Sequence, residues 1–480
     1  MIGQPKWLTN RAVVLFFISF GLCSVLWMQY AVAWRFAVLS SLSVLLFFLG
    51  GESFLRSYAY ASPKRFVRQV FWLALLIRLA WVLYAYFVYN PEYYGNPYGD
   101  GADVDWYMPV AKAGVEAIKE GNFHLYDLWS TTWGAAFDDM GYPFLLMLEY
   151  LVVGEWSDVF VPFVLKALMS AYTVVCMYHI GQRHFGEDVA RLTAVFTAFF
   201  PHLIYWCGTM FKEAEMVFLV ILFVDKMDEV LSLQNITFVR VLPASLIGMT
   251  LFGFRSALGL DAFAAVMAAI VMTSSRIMNT GKKVLAGFLV AFVLFVGMGD
   301  SLRQQARSAI SSVQSSDQEV NMEWRANRGG KGQKQSFARY AGAAVFAPLI
   351  FTIPFPTYNA ALEGQILQPT LAGGNYIKNV LSFFVILMMF VFLFTGEWRK
   401  HMFILSFTLG YLVILTFSSF AHSGRFHMPI MPMLMLFAAC GIKEVHNSIR
   451  YQRWYNLALF VEVGFCVFWN WFKLRGRGMI

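Results

Sequence analysis

Apolar runs of 16 to 23 residues recur along almost the whole chain, parted by short polar turns. They fall near 12–33, 35–51, 70–90, 158–180, 188–204, 212–227, 238–253, 257–275, 284–299, 375–396, 402–420, 427–443 and 454–472. A helix crossing a bilayer needs about 20 mostly apolar residues. Only helices satisfy backbone groups over so many runs of this length. The pattern predicts an all-α polytopic membrane protein with about 11–13 transmembrane helices and two large loops, 91–157 and 300–374.

Composition agrees: 59% of residues are hydrophobic and 14% charged, against roughly a quarter charged in soluble globular proteins. The net charge of +8 does not call for nucleic acid, because the cations sit in short loops flanking the spans, as the positive-inside rule expects. Lys6, Arg11, Arg56, Lys64, Arg65, Arg68, Arg183, Arg191, Lys282, Lys283, Arg399, Lys400 and His401 mark one, cytoplasmic, side. The opposite side receives the two large loops. Loop 300–340 is itself basic, which long loops tolerate. The tail with Lys473, Arg475 and Arg477 would also lie outside, which suggests a last segment that stops short of a full crossing. The first apolar run has no small-residue cleavage site and leads into a second, so no cleavable signal is expected. Cys23, Cys176, Cys207, Cys440 and Cys466 lie in or beside apolar runs without metal-ligand spacing and read as small buried hydrophobes.

Candidate chemistry concentrates in YGDGADVDWYMPVAKAG, residues 98–114, directly after the run 70–90. Asp100, Asp103 and Asp105 crowd ahead of a predicted helix for which Pro109 suits the first turn. Carboxylates at a membrane boundary are costly without work or partners. Capping the helix is the duller reading, but three in six residues exceed what a cap needs. The string 141–153 is too short to span and reads as a surface helix. Asn235-Ile-Thr matches a glycosylation acceptor but falls on the predicted cytoplasmic side.

Several features then fall in a recognisable order: Arg78 in LLIRLAW; Asp103, Tyr107 and Ala111 as D-x-x-x-Y-x-x-x-A; GYP at 141–143; GQRHFGEDVAR at 181–191; Pro201; KEAE at 212–215; and GRFHMPIMP at 424–432. In this order the chain resembles the polyprenyl-phosphate-dependent GT-C glycosyltransferases, which include protein mannosyltransferases and lipid A aminoarabinose transferases. Asp103-Val104 stands where the family has Asp-Glu, and Phe426 where it has a late Tyr. The resemblance implies a GT-C-like catalytic core over 61–445, an added hairpin over 1–60 and a membrane-associated segment over 446–480. It further implies an inverting hexosyl- or pentosyltransferase of a bacterial inner membrane, its active site facing the periplasm or exterior. The partners would be a polyprenyl-phosphate-linked sugar, a glycan, lipid or protein acceptor, and membrane lipids.

The chemistry needs a base for the acceptor hydroxyl and preorganised cations for the departing phosphate. Asp103 or Asp105 is the base candidate. Lys212, Arg255 and Arg425, at outer ends of spans, are the phosphate candidates. Asp100, Tyr107, Glu213 and His427 are expected to line the same substrate site. No cofactor is required; a divalent cation bridging carboxylate and phosphate is an option that no ligand spacing demonstrates. Duller readings stand beside these: Arg78 as a pairing residue within the bundle, Lys212 as a partner of Glu213 or Glu215, and His202 as structural. Two other classes compete. A lipid-linked polysaccharide polymerase or ligase would depend on Arg325 and Arg328 instead. A transporter would show repeated halves and helices interrupted at the midplane.

Overall fold

A computed structural model of the chain describes residues 5–124, 140–154, 159–232, 238–273, 350–359, 366–417, 423–476 and 479–480. The described residues are mostly helical and contain no strand. Seven of their helices are long and apolar enough to cross a membrane: α1 Lys6–Leu26, α2 Trp34–Ser57, α3 Pro63–Tyr94, α6 Phe160–Phe185, α11 Ala372–Thr395, α13 Gly424–His446 and α14 Ile449–Gly476. Between α3 and α6 lie α4 Gly101–Lys119 and α5 Gly141–Val153. Between α6 and α11 come α7 Glu187–Phe199, α8 Glu213–Ser232, α9 Phe238–Phe254 and α10 Ser256–Thr273. Helix α12, Met402–Phe417, precedes α13. By length and composition this is an integral membrane protein. The expected span 284–299, the cations of loop 300–340 and Asn235 lie outside the described residues.

Polar ties define the two ends of the bundle. At one end Arg191 donates to the carbonyls of Tyr58, Ala59 and Ala61, and the ring nitrogens of His184 and His401 meet at 2.9 Å. At the far end Tyr89 bonds Thr370 at 2.7 Å, and the Met210 N–H donates to Tyr98 at 3.1 Å. Helix α6, packed between α3, α7 and α8, is central, and α13 is buried almost throughout. All five cysteines are free and buried.

Three sequence expectations change. The last helix is long and apolar enough for a full crossing: α14 has 28 residues and runs beside α1, with Arg11 bonded to Asn456 and Tyr30 to the Met479 carbonyl. Its aromatic-rich sequence, broken by isolated polar residues, hides that length. The helix around Pro109 begins eight residues early, at Gly101. Pro109 therefore sits inside α4 and leaves the Asp105 carbonyl without its intrahelical N–H.

The run 188–204 is not one helix either. It breaks at Phe200, whose φ of −67° and ψ of 118° are extended, as a residue before proline prefers. The chain resumes as the short helix Pro201–Tyr205, makes a 3-10 turn over Trp206–Gly208 and then runs irregularly to Lys212. Irregular backbone at membrane depth survives only where protein satisfies it. Here side chains from α3 and α6 do so. Arg78 donates to the carbonyls of Thr197 and Ala198 at 3.2 and 3.0 Å, Trp81 to Tyr205 at 2.9 Å, and Asn90 to Gly208 at 2.8 Å. Lys166 donates to Thr209 at 2.9 Å and to Phe211. Gly208 is required: a Cβ there would lie 2.6 Å from that of Ala85 and 2.8 Å from the Trp81 ring nitrogen.

Candidate functional site

The broken segment delivers KEAE, residues 212–215, to the start of α8 at the far end. Lys212, Glu213 and Glu215 are all buried there. Lys212 donates to the Phe254 carbonyl at 2.6 Å, beside Arg255 in the turn between α9 and α10. Glu213 accepts from the Arg425 guanidinium, which also lies 4.3 Å over the Phe211 ring. Glu215 pairs with Lys166 of α6 at 3.2 Å, both charges being shut away from solvent.

Arg255 completes the group differently. Its guanidinium donates to the Tyr411 hydroxyl at 2.8 Å and lies 4.4 Å over the Phe426 ring. Tyr411 in turn donates to the Phe426 carbonyl at 3.1 Å. Among the described residues Arg255 has no ion-pair partner, although it is 9% exposed. A buried cation without a counter-ion is strongly unfavourable, so its surroundings suit a bound anion. Phe426 takes a place in the site through its ring and its carbonyl.

Helix α4 reaches the same region. Tyr98, just ahead of it, holds Met210, two residues before Lys212. Tyr107 is buried edge-on against Tyr142 of α5, with ring centroids 5.0 Å apart, and the Lys166 ammonium lies 4.6 Å from the Tyr142 centroid. Asp100 occupies the N-cap position of α4, yet its side chain makes no capping bond, so capping does not explain it. Asp105 is exposed. Asp103 stands in the first turn of α4, one helical turn before Tyr107, and its side chain lies outside the described residues. His427 belongs to a neighbouring cluster. It is fully buried and meets Lys378 of α11 at 3.0 Å, close to His202, which bonds Asn375 at 3.0 Å. The structure thus brings Lys212, Glu213, Arg255 and Arg425 into one bonded group, with Tyr107 joined to it through Tyr142 and Lys166.

Two residues at this site escape a sequence reading. Lys166 sits in an apolar run, where its only signal is an ionisable residue inside a span. Glu149 is the one charge in the string GYPFLLMLEYLVV. Its Oε2 is buried without a hydrogen-bond partner among the described residues, as is Oε2 of Glu215. Burial, and then the Glu215 charge, push the Glu149 carboxyl up to about 7 against the opposing pull of Lys166. Between its ordinary 4.5 and about 7 the folded protein holds a proton that the unfolded chain releases. Stability from this group is therefore present at low pH and lost as pH rises through that window. Glu149→Gln should match wild type near pH 4 and melt at higher temperature than wild type at pH 8. Parallel melting curves across the whole range would contradict this.

No protein-family model matches this chain, and a search of curated proteins finds no similar sequence.

Proposed function

We propose that the protein is an integral membrane glycosyltransferase that moves a sugar from a polyprenyl-phosphate donor to a glycan, lipid or protein acceptor at the far, extracytoplasmic face. The observation that carries the reading is the buried Arg255, without an ion pair among the described residues and linked with Lys212 and Arg425 in one group. Such a group suits the phosphate of a lipid-linked sugar. The donor is already activated, so the protein has to hold the leaving phosphate and take a proton from the acceptor hydroxyl. Arg255, buried, and Arg425, half-buried, each flanked by an aromatic ring, favour charge developing on that phosphate. A carboxylate at the start of α4, Asp103 or Asp105, serves as the base. Glu149, with its raised proton affinity, is the alternative on α5.

A transporter would share an interrupted helix. Here the carbonyls freed by the break are tied by Arg78, Trp81, Asn90 and Lys166, an arrangement that favours a fixed scaffold over a moving passage. The polymerase or ligase reading rests on Arg325 and Arg328, outside the described residues, and is separated by mutation. Arg425→Ala should cost at least tenfold in turnover, the scale of one charge-assisted contact to a leaving group. Neutralising Arg325 and Arg328 together should cost less. Turnover of both variants at equal membrane expression decides. An inactive Arg325/Arg328 variant beside a healthy Arg425→Ala would point to the polymerase or ligase.

A further inference from the structure

At the opposite end of the bundle, remote from this site, a groove of about 450 Å³ runs between α3 and α6. The two helices are antiparallel, so the start of α3 and the close of α6 share one end. The mouth is polar, lined by Lys64, Arg68, His179 and Gln182, and the inner walls are apolar, from Val67, Phe71, Tyr172 and Val175. From Lys64 to Phe71 the groove extends about 10 Å along α3, and from Gln182 to Tyr172 about 15 Å along α6. It opens outward, Tyr172 being 46% exposed.

Charge at the mouth is one-sided. Lys64 and Arg68 are exposed and, among the described residues, neither is in an ion pair. The neighbouring carboxylates are each paired with a cation other than Lys64 or Arg68. Glu187 pairs with Arg191 while bonded to Tyr178 and Gln182 of the groove wall, Asp225 is held by Arg183 at 2.7 Å, and Glu229 by Lys226 at 3.2 Å. A cationic mouth at a helix end above an apolar channel complements a molecule with an anionic head and a hydrocarbon tail. Basic recesses between spanning helices take anionic headgroups in this way.

We infer that this groove binds one anionic phospholipid, its phosphate against Lys64 and Arg68 and one acyl chain along Val67, Phe71, Tyr172 and Val175. The inference is independent of the transferase reading and needs only that the bundle sits in a bilayer.

The full-length protein in neutral detergent is titrated with phosphatidylglycerol or phosphatidylcholine, and bound lipid is counted by native mass spectrometry. Wild type should show one saturable phosphatidylglycerol site that phosphatidylcholine does not fill. A Lys64→Gln/Arg68→Gln variant should lose roughly thirtyfold in affinity, two near-surface cations each contributing about fivefold. Val175→Trp, which fills the channel and leaves the charges, should lose the same site. Because these side chains are exposed or half-buried, each variant should keep its lipid-free melting temperature. Unchanged binding in both variants would overturn the inference. So would displacement of the lipid by millimolar inorganic phosphate, which would mark a site for soluble anions.

Discussion

Arg78→Met should leave little folded protein, and what remains should melt far below wild type. The Arg78 side chain is fully buried and donates to the Ser170 hydroxyl at 2.7 Å and to the carbonyls of Ala74, Thr197 and Ala198. In a continuous helix the carbonyls of Thr197 and Ala198 would accept from residues 201 and 202. Residue 201 is proline and has no N–H, and the break at Phe200 carries His202 out of line. Methionine fills the volume and restores none of these bonds. Each buried acceptor left unmet costs about 1–3 kcal/mol, and several are left together. Arg78→Lys, with donors on a single nitrogen, should recover part of the loss. Melting temperature in detergent is the readout. Wild-type melting with lost transfer activity would instead give Arg78 a part in the chemistry.

Asp103→Asn should keep the fold and remove most transfer. The amide is isosteric and still serves the amino end of a helix, and α4 is held by Val104, Tyr107 and Ala111, all buried against its neighbours. What the substitution removes is a proton acceptor, and general-base catalysis contributes typically 10²–10⁴-fold. A dead Asp105→Asn beside an active Asp103→Asn would move the base by two residues along the first turns of α4. If both aspartate variants turn over normally and Glu149→Gln does not, the base is on α5, where its raised proton affinity places it.

Much of this architecture is legible from the chain. Apolar periodicity alone places the long helices, because a run of about 20 apolar residues has few other uses. The cations Lys212, Arg255 and Arg425 are legible as charges at span ends, and they are linked through Phe254, Glu213 and Tyr411 although more than two hundred residues separate the first from the last. Their partners are not legible. Tyr411 and Phe426 carry no local sign that they will receive Arg255. Glu149 hides in a helix otherwise apolar. The interruption at Phe200 is signalled only by Pro201, and a proline at a span end equally marks the first turn of a helix. Arg78 is the instructive case. An intramembrane arginine invites a functional reading, whereas its bonds to Thr197 and Ala198 show it closing the carboxyl end of a broken helix, where a cation also opposes the negative end of the macrodipole.

The most direct test is a transfer assay on the purified protein in lipid. A panel of polyprenyl-phosphate and polyprenyl-pyrophosphate sugars is supplied with envelope glycan, lipid and protein acceptors, and released polyprenyl phosphate or pyrophosphate is counted for wild type and for Asp103→Asn. Wild type should sustain release from at least one monophosphate donor, falling at least a hundredfold in the variant. Turnover confined to pyrophosphate donors, or absent with every monophosphate donor, would contradict the transferase reading, whereas equal turnover in the two proteins would take the base away from Asp103.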